Sequence, residues 1–270
     1  FTVKSECAQP EGILVRSADM HNYELPESVL AVARAGAGVN NIPCDQYAQK
    51  GVVVFNTPGA NANAVKELVL GSLILASRNL VDAVNWAQGL KGQENVEKLV
   101  ESGKKAFVGP EIRGKKLGVL GLGAIGALVA NDAVKLGMEV MGHDPFISVD
   151  LAWKLSRAVK NAPSKEQIFE QCDYITMHMP LNDGTREMII RESLAMMKPG
   201  AVILNFSRGG LVNNADIIQA LNSGKLRAYV TDFPCEELLG VKGVITIPHL
   251  GASTPESEDN CAAMAAKELY

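Results

Sequence analysis

Polar residues that could bind a carboxylate and move a proton follow short apolar runs in the second half of the chain. Arg208 comes soon after the apolar run 202–204, so its guanidinium could hold a carboxylate through paired hydrogen bonds. His249 follows the run 244–247, and an imidazole can take a hydroxyl proton near neutral pH. A carboxylate from the segment 232–237 could raise the pKa of that imidazole and fix its orientation. The oxidation of a hydroxy acid by a nicotinamide requires such a cation, base and acid.

From the residues alone, both side chains keep a structural alternative. Arg208 could pair with a surface acid, and a single histidine such as His249 is often a satisfied structural residue. Both residues lie just after predicted strands, and this position favours a catalytic role over a structural one.

A glycine-rich turn between a predicted strand and a predicted helix could hold the phosphates of a dinucleotide. The spacing G-x-G-x-x-G follows the buried strand Lys116–Leu120. Its first glycine allows a tight turn, the second lets a pyrophosphate approach the backbone, and the third lets helix and strand pack closely. The start of the helix offers unpaired N–H groups and a partial positive charge. The turn residues that we expect to contact the cofactor are Gly121, Gly123, Ala124, Ile125 and Gly126.

An acidic residue ends the next predicted strand. Asp144 lies 18 residues after Gly126, close to the distance at which dinucleotide sites place the acid that binds a ribose 2′-hydroxyl. Because its charge would repel a 2′-phosphate, the sequence favours NAD over NADP. The alternative is a structural strand–turn–helix unit in which the aspartate is incidental.

Strands and helices alternate from Gly114 onward, which predicts a parallel sheet with helices on both faces, a Rossmann-type doubly wound α/β fold. In such sheets ligands bind at the carboxyl ends of the strands. The predicted strands are Lys116–Leu120, Glu139–Gly142, Tyr174–Met177, Val202–Asn205, Ala228–Thr231 and Val244–Thr246. The predicted helices are Gly126–Leu136, Ser164–Gln171, Arg191–Met197 and Asn214–Ser223.

The first part of the chain predicts a smaller parallel sheet. Short apolar strands are predicted at 12–16, 29–34 and 52–55, with a helix at 45–50 between the last two. One long apolar helix is predicted for 64–88, and the polar stretch 89–109 is predicted to be a surface excursion.

Composition excludes several classes of function. The 270 residues carry a formal net charge of −4, and no basic run or basic-aromatic stripe suggests nucleic-acid binding. The five cysteines are far apart without a C-x-x-C pair, so neither a disulfide framework nor a metal site is predicted. The longest apolar run, near 68–76, is too short to span a bilayer. We expect a cytoplasmic protein without a membrane partner, given as a fragment at both ends.

Six stretches together resemble the D-2-hydroxyacid dehydrogenase family, and in particular its D-3-phosphoglycerate dehydrogenase branch. They occur in the family's order over nearly the whole chain. The stretches are Arg34–Asn41, Phe55–Asn61, Leu120–Gly126 with Asp144-Pro145, Met197–Gly200, Asn205–Gly210 and Pro248–Thr254.

The resemblance implies a catalytic trio of Arg208, Glu236 and His249. His249 would take the hydroxyl proton during oxidation, Glu236 would stabilise the charged imidazole, and Arg208 would orient the substrate. The acidic loop is one residue shorter than is usual in the family. Glu236 is therefore chosen by its distance from Phe233-Pro234, while Glu237 fits when the count starts at Asp232.

The resemblance also implies the remaining ligand contacts. The substrate carboxylate would bind the backbone amides of Ala35, Gly36, Ala37 and Gly38, and the substrate phosphate would bind at Arg16 and Ser17, with Arg34 or Lys104 as candidates for a second cation. Further cofactor contacts would be His178, Pro180, Ser207, Asp232 and Gly251.

The family's domain organisation implies a smaller flavodoxin-like α/β substrate domain formed by residues 1–77 and 251–270, and a NAD-binding Rossmann domain at 78–250. We expect a homodimer or homotetramer that oxidises D-3-phosphoglycerate by hydride transfer to NAD, in the first step of serine biosynthesis. The alternatives are another D-2-hydroxyacid, such as glycerate (hydroxypyruvate reduction) or D-lactate, and an NAD-sensing corepressor. A C-terminal regulatory domain is common in the branch.

Overall fold

The structure is a computed structural model, and it describes residues 2–270; Phe1, the first residue of the predicted substrate domain, lies outside the described residues. The strands are β1 (Gly12–Val15), β2 (Ala31–Arg34), β3 (Val53–Asn56), β4 (Lys116–Leu120), β5 (Glu139–His143), β6 (Lys160–Asn161), β7 (Tyr174–Met177), β8 (Ala201–Asn205), β9 (Leu226–Thr231) and β10 (Val244–Thr246). The helices are α1 (Cys44–Gln49), α2 (Ala62–Ser77), α3 (Leu80–Gln88), α4 (Val96–Gly103), α5 (Ala124–Lys135), α6 (Val149–Lys154), α7 (Lys165–Gln171), α8 (Arg191–Met196), α9 (Asn214–Asn222) and α10 (Pro255–Leu269).

The chain forms two compact units, and it passes from one to the other twice. The smaller unit contains the residues up to Ala64 together with Ala252–Tyr270, and the larger unit contains Val65–Gly251. The first boundary lies near the start of α2 and not at residue 77, where the sequence placed it. The reason is that Val65, Val69 and Leu73 of α2 pack in the same core as the strands of the larger sheet.

The smaller unit is a three-stranded parallel sheet in the order β1-β2-β3 with helices on its two faces. Successive residues of β2 point to opposite faces, as the period of a strand requires. Val32 packs in a core with Tyr47 of α1, whereas Ala33 packs with Cys261 and Ala265 of α10. Small residues on this second face let the last helix lie close to the sheet.

The larger unit is a seven-stranded parallel sheet in the order β6-β5-β4-β7-β8-β9-β10. Its two faces carry different cores. On β7, Tyr174 packs with α2 and α5, and Ile175 packs with α7, α8 and α9. This arrangement confirms the predicted doubly wound α/β fold. The strand order reverses between β4 and β7, and ligands of such sheets bind outside the carboxyl ends of the strands at this reversal.

Some elements differ from the prediction. The apolar stretch 64–88 forms two helices, because Asn79 adopts a left-handed conformation with φ of 49° and ends the first of them. The stretch 89–109 contains helix α4 and a 3-10 helix, Lys104–Phe107, and the rings of Trp86 and Phe107 lie 5.3 Å apart. Helix α6 and strand β6 were not predicted.

Candidate active site

Two glycines of the turn after β4 are required by neighbouring backbone. Gly121 has a φ of +87°, and a Cβ atom there would lie 2.5 Å from the carbonyl oxygen of His178. A Cβ atom at Gly126 would lie 1.9 Å from the carbonyl oxygen of Gly121. At Gly123, by contrast, no described atom lies within 4 Å of the Cβ position. The turn therefore packs tightly against the loop after β7 and leaves open space over its second glycine.

The helix that follows the turn has a free N-terminus. Gly123 is the residue before α5, and no side chain caps the helix there. The N–H groups of the first residues of a helix, here Ala124, Ile125 and Gly126, have no partner within the helix. They point to the open space over the turn with the positive end of the helix dipole, which is the arrangement that binds phosphate.

Asp144 is held beside this turn by two backbone hydrogen bonds. One carboxylate oxygen accepts from the N–H of Leu122 at 2.8 Å, and the other accepts from the N–H of Phe146 at 2.9 Å. Asp144 is half-buried, and each carboxylate oxygen keeps a further lone pair. The carboxylate is thus fixed in position and can still accept hydrogen bonds from the hydroxyls of a ribose.

The loop after β7 presents a neutral imidazole. The Nε2 atom of His178 lies 3.0 Å from the hydroxyl of Thr176, and its buried Nδ1 atom has no hydrogen-bond partner among residues 2–270. Burial lowers the pKa of His178 to about 3, so the ring carries no charge at neutral pH. The hydroxyl of Ser207 donates to the carbonyl oxygen of Met179, which joins this loop to the one after β8. Pro180 is exposed in the same loop.

A buried amide at the end of β8 shapes the turn that carries Arg208. Asn205 is fully buried; its Nδ2 atom donates to the carbonyl oxygen of Arg208 at 2.9 Å, and its Oδ1 atom accepts from the N–H of Ser207 at 3.2 Å. The Arg208 side chain is exposed, and Nη1 donates to the carbonyl oxygen of Ser207 at 2.6 Å. One N–H group of the guanidinium fork is therefore held by the Ser207 carbonyl, and the exposed side chain keeps its other N–H groups for a ligand.

Phe233 connects the Arg208 turn with His249. A Cβ atom at Gly209 would lie 3.4 Å from the Cβ of Phe233, and the ring centroids of Phe233 and His249 are 4.9 Å apart with a tilt of 55°. His249 is exposed in the loop after β10. The structure thus brings the predicted cation and the predicted base to the same edge of one sheet.

A buried carboxylate lies between these two groups. Asp232 directly follows β9 and is only 1% exposed, and its Oδ1 atom has no hydrogen-bond partner within the described part of the chain. Burial raises the pKa of the Asp232 carboxyl above its ordinary value, while the His249 imidazole, the N–H groups of Asp232 and Gly251, and the Arg208 guanidinium offset part of this rise. The unpaired oxygen is a buried acceptor for a ligand donor such as an amide.

The two glutamates of the acidic loop have different surroundings. Both are exposed in the 3-10 helix Glu236–Leu238, and the Oε2 atom of Glu237 accepts from Nδ2 of Asn214 at 3.3 Å. Between residues 2 and 270 no hydrogen bond or ion pair of the Glu236 carboxylate or of the His249 ring is found. Glu237 is therefore engaged by α9, and the carboxyl group whose pKa the His249 imidazole lowers is that of Asp232.

In the smaller unit, the loop after β2 uses half of its amides internally. The N–H of Ala35 donates to the carbonyl oxygen of Val15 at 2.8 Å, and the N–H of Gly36 donates to that of Arg34 at 2.9 Å. For Ala37 and Gly38, no such bond occurs among the described residues, and Nδ2 of Asn56 fixes the loop by donating to the carbonyl oxygen of Ala37 at 2.7 Å. Of the four predicted amides, these two are the ones that can bind a carboxylate.

Two arginines meet at the carboxyl edge of the smaller sheet. Arg16 follows β1, and its carbonyl oxygen accepts from Nε of Arg34 at 3.1 Å. The Arg34 guanidinium also covers Gly36, where a Cβ atom would lie 1.9 Å from Nη1. The Nη1 atom of Arg16 forms an ion pair with Glu258 of α10 at 2.9 Å. Ser17 is exposed next to Arg16.

The other predicted source of a second cation, Lys104, pairs with Glu101 one turn earlier on the larger unit at 2.5 Å. Over residues 2–270, no group of three or more His, Cys, Asp or Glu side chains could hold a metal ion. None of the helices in that range is long and apolar enough to cross a bilayer.

Three contributors in the larger unit and one in the smaller unit were not predicted from the sequence. Asn205 shapes the Arg208 turn, Thr176 lies against the His178 ring, and the Phe233 ring lies tilted beside the His249 ring. A polar residue within or at the end of an otherwise apolar strand was an available signal for Asn205 and Thr176. Glu258 gave no signal, because its pairing with Arg16 joins residues 242 positions apart.

These features together fit a dinucleotide. They are an uncapped helix after a glycine turn, open space over Gly123, a fixed acid for a ribose, and the unpaired polar atoms of His178 and Asp232. The larger unit is thus a dinucleotide-binding domain of the Rossmann type.

Comparison with known proteins identifies the family. The family described as "D-isomer specific 2-hydroxyacid dehydrogenase, NAD binding domain" matches residues 70–251, which is more than half of the chain. The chain therefore belongs to the D-2-hydroxyacid dehydrogenase family. A structure of 3-phosphoglycerate dehydrogenase from Entamoeba histolytica with bound NAD+ is similar to this chain, with 28% sequence identity and a TM-score of 0.73. The match covers 96% of this chain and 78% of the Entamoeba chain. NAD is accordingly the cofactor of the larger unit, as the sequence predicted.

This chain matches different shares of two curated relatives. D-3-phosphoglycerate dehydrogenase from Methanocaldococcus jannaschii is 37% identical over 91% of this chain and 46% of that protein. Hydroxypyruvate reductase from Thermotoga maritima is 33% identical over 96% of this chain and 83% of that protein. The chain spans about half the length of the curated phosphoglycerate dehydrogenases that it matches.

Proposed function

We propose that this chain is the catalytic part of an NAD-dependent dehydrogenase that oxidises D-3-phosphoglycerate to 3-phosphohydroxypyruvate, the first step of serine biosynthesis. The observation that carries the proposal is the grouping of Arg208, Asp232 and His249 after three neighbouring strands of the sheet that holds the glycine turn. These residues supply a cation, a buried acceptor and a base. The names of the phosphoglycerate dehydrogenase relatives support this choice of substrate.

Each residue has a separate task in the proposed reaction. NAD, when bound, supplies the nicotinamide ring that accepts the hydride from C2 of the substrate. His249 takes the proton of the C2 hydroxyl, so that the alcohol becomes a ketone and the imidazole becomes charged. Arg208 binds the substrate carboxylate or the developing carbonyl through its exposed N–H groups. The unpaired Oδ1 atom of Asp232 would accept from the cofactor carboxamide, and Asp232 lies close enough to His249 for the imidazole to lower the pKa of the Asp232 carboxyl.

The second acid of the proposed trio is Glu236. Because Glu237 is engaged by Asn214, Glu236 is the glutamate of this loop that can turn to the charged imidazole. Its carboxylate is exposed. His178, Pro180, Ser207 and Gly251 complete the proposed cofactor contacts.

The smaller unit supplies the proposed anion-binding groups. The free amides of Ala37 and Gly38 suit a carboxylate, and the adjacent arginines, Arg16 and Arg34, suit a phosphate. Two guanidinium groups at the carboxyl ends of neighbouring parallel strands are what a dianionic end group requires. The smaller unit is thus proposed as the substrate domain.

We also propose a cytoplasmic homodimer or homotetramer. The surface that we propose for self-association of the larger unit is the exposed apolar side chains of α3 and α4, which are Leu80, Val84, Val96 and Val100.

A second candidate is the reduction of hydroxypyruvate to D-glycerate. It is favoured by the Thermotoga relative, which this chain matches over most of its length, and by the ion pair that occupies Arg16. D-Glycerate carries a hydroxymethyl group in place of the phosphate ester and needs no second cation.

The test is NADH formation, followed at 340 nm, with D-3-phosphoglycerate, D-glycerate and D-lactate. We expect the highest kcat/KM for D-3-phosphoglycerate. A loss of about 10²–10⁴-fold in kcat is expected for His249→Ala, with NADH binding nearly unchanged, because the base acts in the chemical step. Turnover of D-glycerate without turnover of D-3-phosphoglycerate would overturn the substrate assignment, and loss of NADH binding in His249→Ala would show that the histidine is structural.

A further inference from the structure

We infer that Glu258 competes with the substrate phosphate for Arg16 and so sets how strongly the protein prefers a phosphorylated hydroxy acid. The inference rests on the proposed function. It concerns residues of the smaller unit alone: Arg16 after β1, Arg34 at the end of β2, and Glu258 in the first turn of α10.

The position of Glu258 is fixed by the start of its helix. Thr254 caps α10, since its hydroxyl accepts from the N–H of Ser257 at 3.1 Å and its carbonyl oxygen accepts from the N–H of Glu258 at 3.0 Å. Cys261, one turn later, is buried against the sheet. The helix therefore presents the Glu258 carboxylate beside the carboxyl edge of the sheet, where Oε1 lies 2.9 Å from Nη1 of Arg16.

The positive charge of Arg16 is already paired at this edge. Its Nη1 atom lies 2.9 Å from Oε1 of Glu258, so the carboxylate neutralises the guanidinium that a phosphate would need. A phosphate monoester carries about −1.5 to −2 charges at neutral pH. To bind Arg16 through paired hydrogen bonds, it must take over the Nη1 atom that Glu258 engages, and it then lies close to a carboxylate of like charge.

The ion pair is weak enough to be replaced. The side chains of Arg16 and Glu258 are 41% and 54% exposed, and exposed ion pairs contribute little to stability. Glu258 therefore lowers the affinity for phosphate without closing the site. An uncharged hydroxymethyl group at the same place would neither displace Glu258 nor be repelled by it. Glu258 consequently acts on the phosphorylated substrate and not on its unphosphorylated analogue.

The experiment compares Glu258→Gln with Glu256→Gln, a matched control. Glu256 is also an exposed glutamate in the first turn of α10, so its replacement removes the same charge from the same end of the helix. For Glu258→Gln we expect the KM for D-3-phosphoglycerate to fall about three- to tenfold with kcat nearly unchanged, and the KM for D-glycerate to stay within about twofold. The control should leave both constants as in the parent protein. In an Arg16→Gln background, the effect of Glu258→Gln should vanish.

A binding measurement separates this inference from the proposed function. Inhibition by inorganic phosphate, or the rise in Tm that it causes, should occur at about three- to tenfold lower phosphate concentration in Glu258→Gln than in the parent. If no hydroxy acid is turned over, the proposed function fails and the phosphate measurement alone decides the inference. Competition between Glu258 and phosphate is refuted if Glu258→Gln has the same KM and the same phosphate affinity as the parent or as the control. It is also refuted if the variant lowers the KM for D-3-phosphoglycerate and for D-glycerate equally.

Discussion

An added methyl group should lower the stability of the protein at one glycine of the turn after β4 and the affinity for NADH at another. At Gly126 the new Cβ would lie 1.9 Å from the carbonyl oxygen of Gly121, so backbone must move by more than 1 Å. Overpacking of this kind costs about 1–3 kcal/mol. For a domain of 150–250 residues, each kcal/mol lowers Tm by about 2–4 °C, so Gly126→Ala should lower Tm by about 2–12 °C.

At Gly123 the methyl group meets no described atom within 4 Å beyond its chain neighbours, and the φ of −67° lies outside the left-handed region that favours glycine. Gly123→Ala should keep the parental Tm within about 2 °C. It should nevertheless weaken NADH binding at least about tenfold, or ~1.4 kcal/mol, because the methyl group lies where the pyrophosphate approaches the backbone.

Differential scanning fluorimetry and titration of NADH fluorescence measure the two effects separately. Gly71→Ala is the control, because Gly71 is exposed inside α2 with no described neighbour at its Cβ position. It should stabilise the protein by about 0.8–1.0 kcal/mol and leave NADH binding unchanged. A large loss of stability in Gly123→Ala, or parental NADH affinity in that variant, would refute the placement of the pyrophosphate.

Two further predictions concern buried titratable groups. Because burial lowers the pKa of His178 from about 6.5 to about 3, protons bind preferentially to the unfolded chain as the pH falls below 6.5, and stability is lost between these values. Between pH 7 and pH 5, the free energy of unfolding should fall by up to about 2 kcal/mol less in His178→Gln than in the parent protein. This figure is an upper limit, because His178 is only half-buried. An equal fall in both proteins, measured by urea titration, would contradict the prediction. Burial raises the pKa of Asp232, so the parent protein loses stability as the pH rises above about 4, where the unfolded carboxyl ionises. Asp232→Asn should therefore have a higher Tm than the parent, and the difference in Tm should grow as the pH rises from 4. A difference in Tm that does not change with pH would show that desolvation of the carboxylate is not the cause.

The sheet and the loops of the larger unit could be predicted because one rule determines both. Apolar runs alternating with helical segments require parallel strands, and the carboxyl ends of parallel strands meet at one edge. The glycine turn, Arg208 and His249 each follow such a strand, so their common location needed no knowledge of tertiary contacts. The single helix predicted for 64–88 failed for a local reason, since nothing in its apolar pattern showed that Asn79 would adopt a left-handed conformation.

Which side chains bind each other could not be read from the sequence, and the chemistry depends on these partners. Counting from Phe233-Pro234 selected Glu236 and counting from Asp232 selected Glu237, and no count could show that Asn214 donates a hydrogen bond to Glu237. The same holds for Arg16: the family resemblance implies that it binds a phosphate, but we infer that the strength of this binding depends on Glu258, a residue brought to it only by the return of the chain into the smaller unit. A family resemblance predicts which residues can take part in catalysis or in ligand binding. The contacts of each residue determine how strongly it binds its ligand. If the proposed function holds, the choice between a phosphorylated and an unphosphorylated substrate would therefore depend on the ion pair between Arg16 and Glu258 and not on the arginine alone.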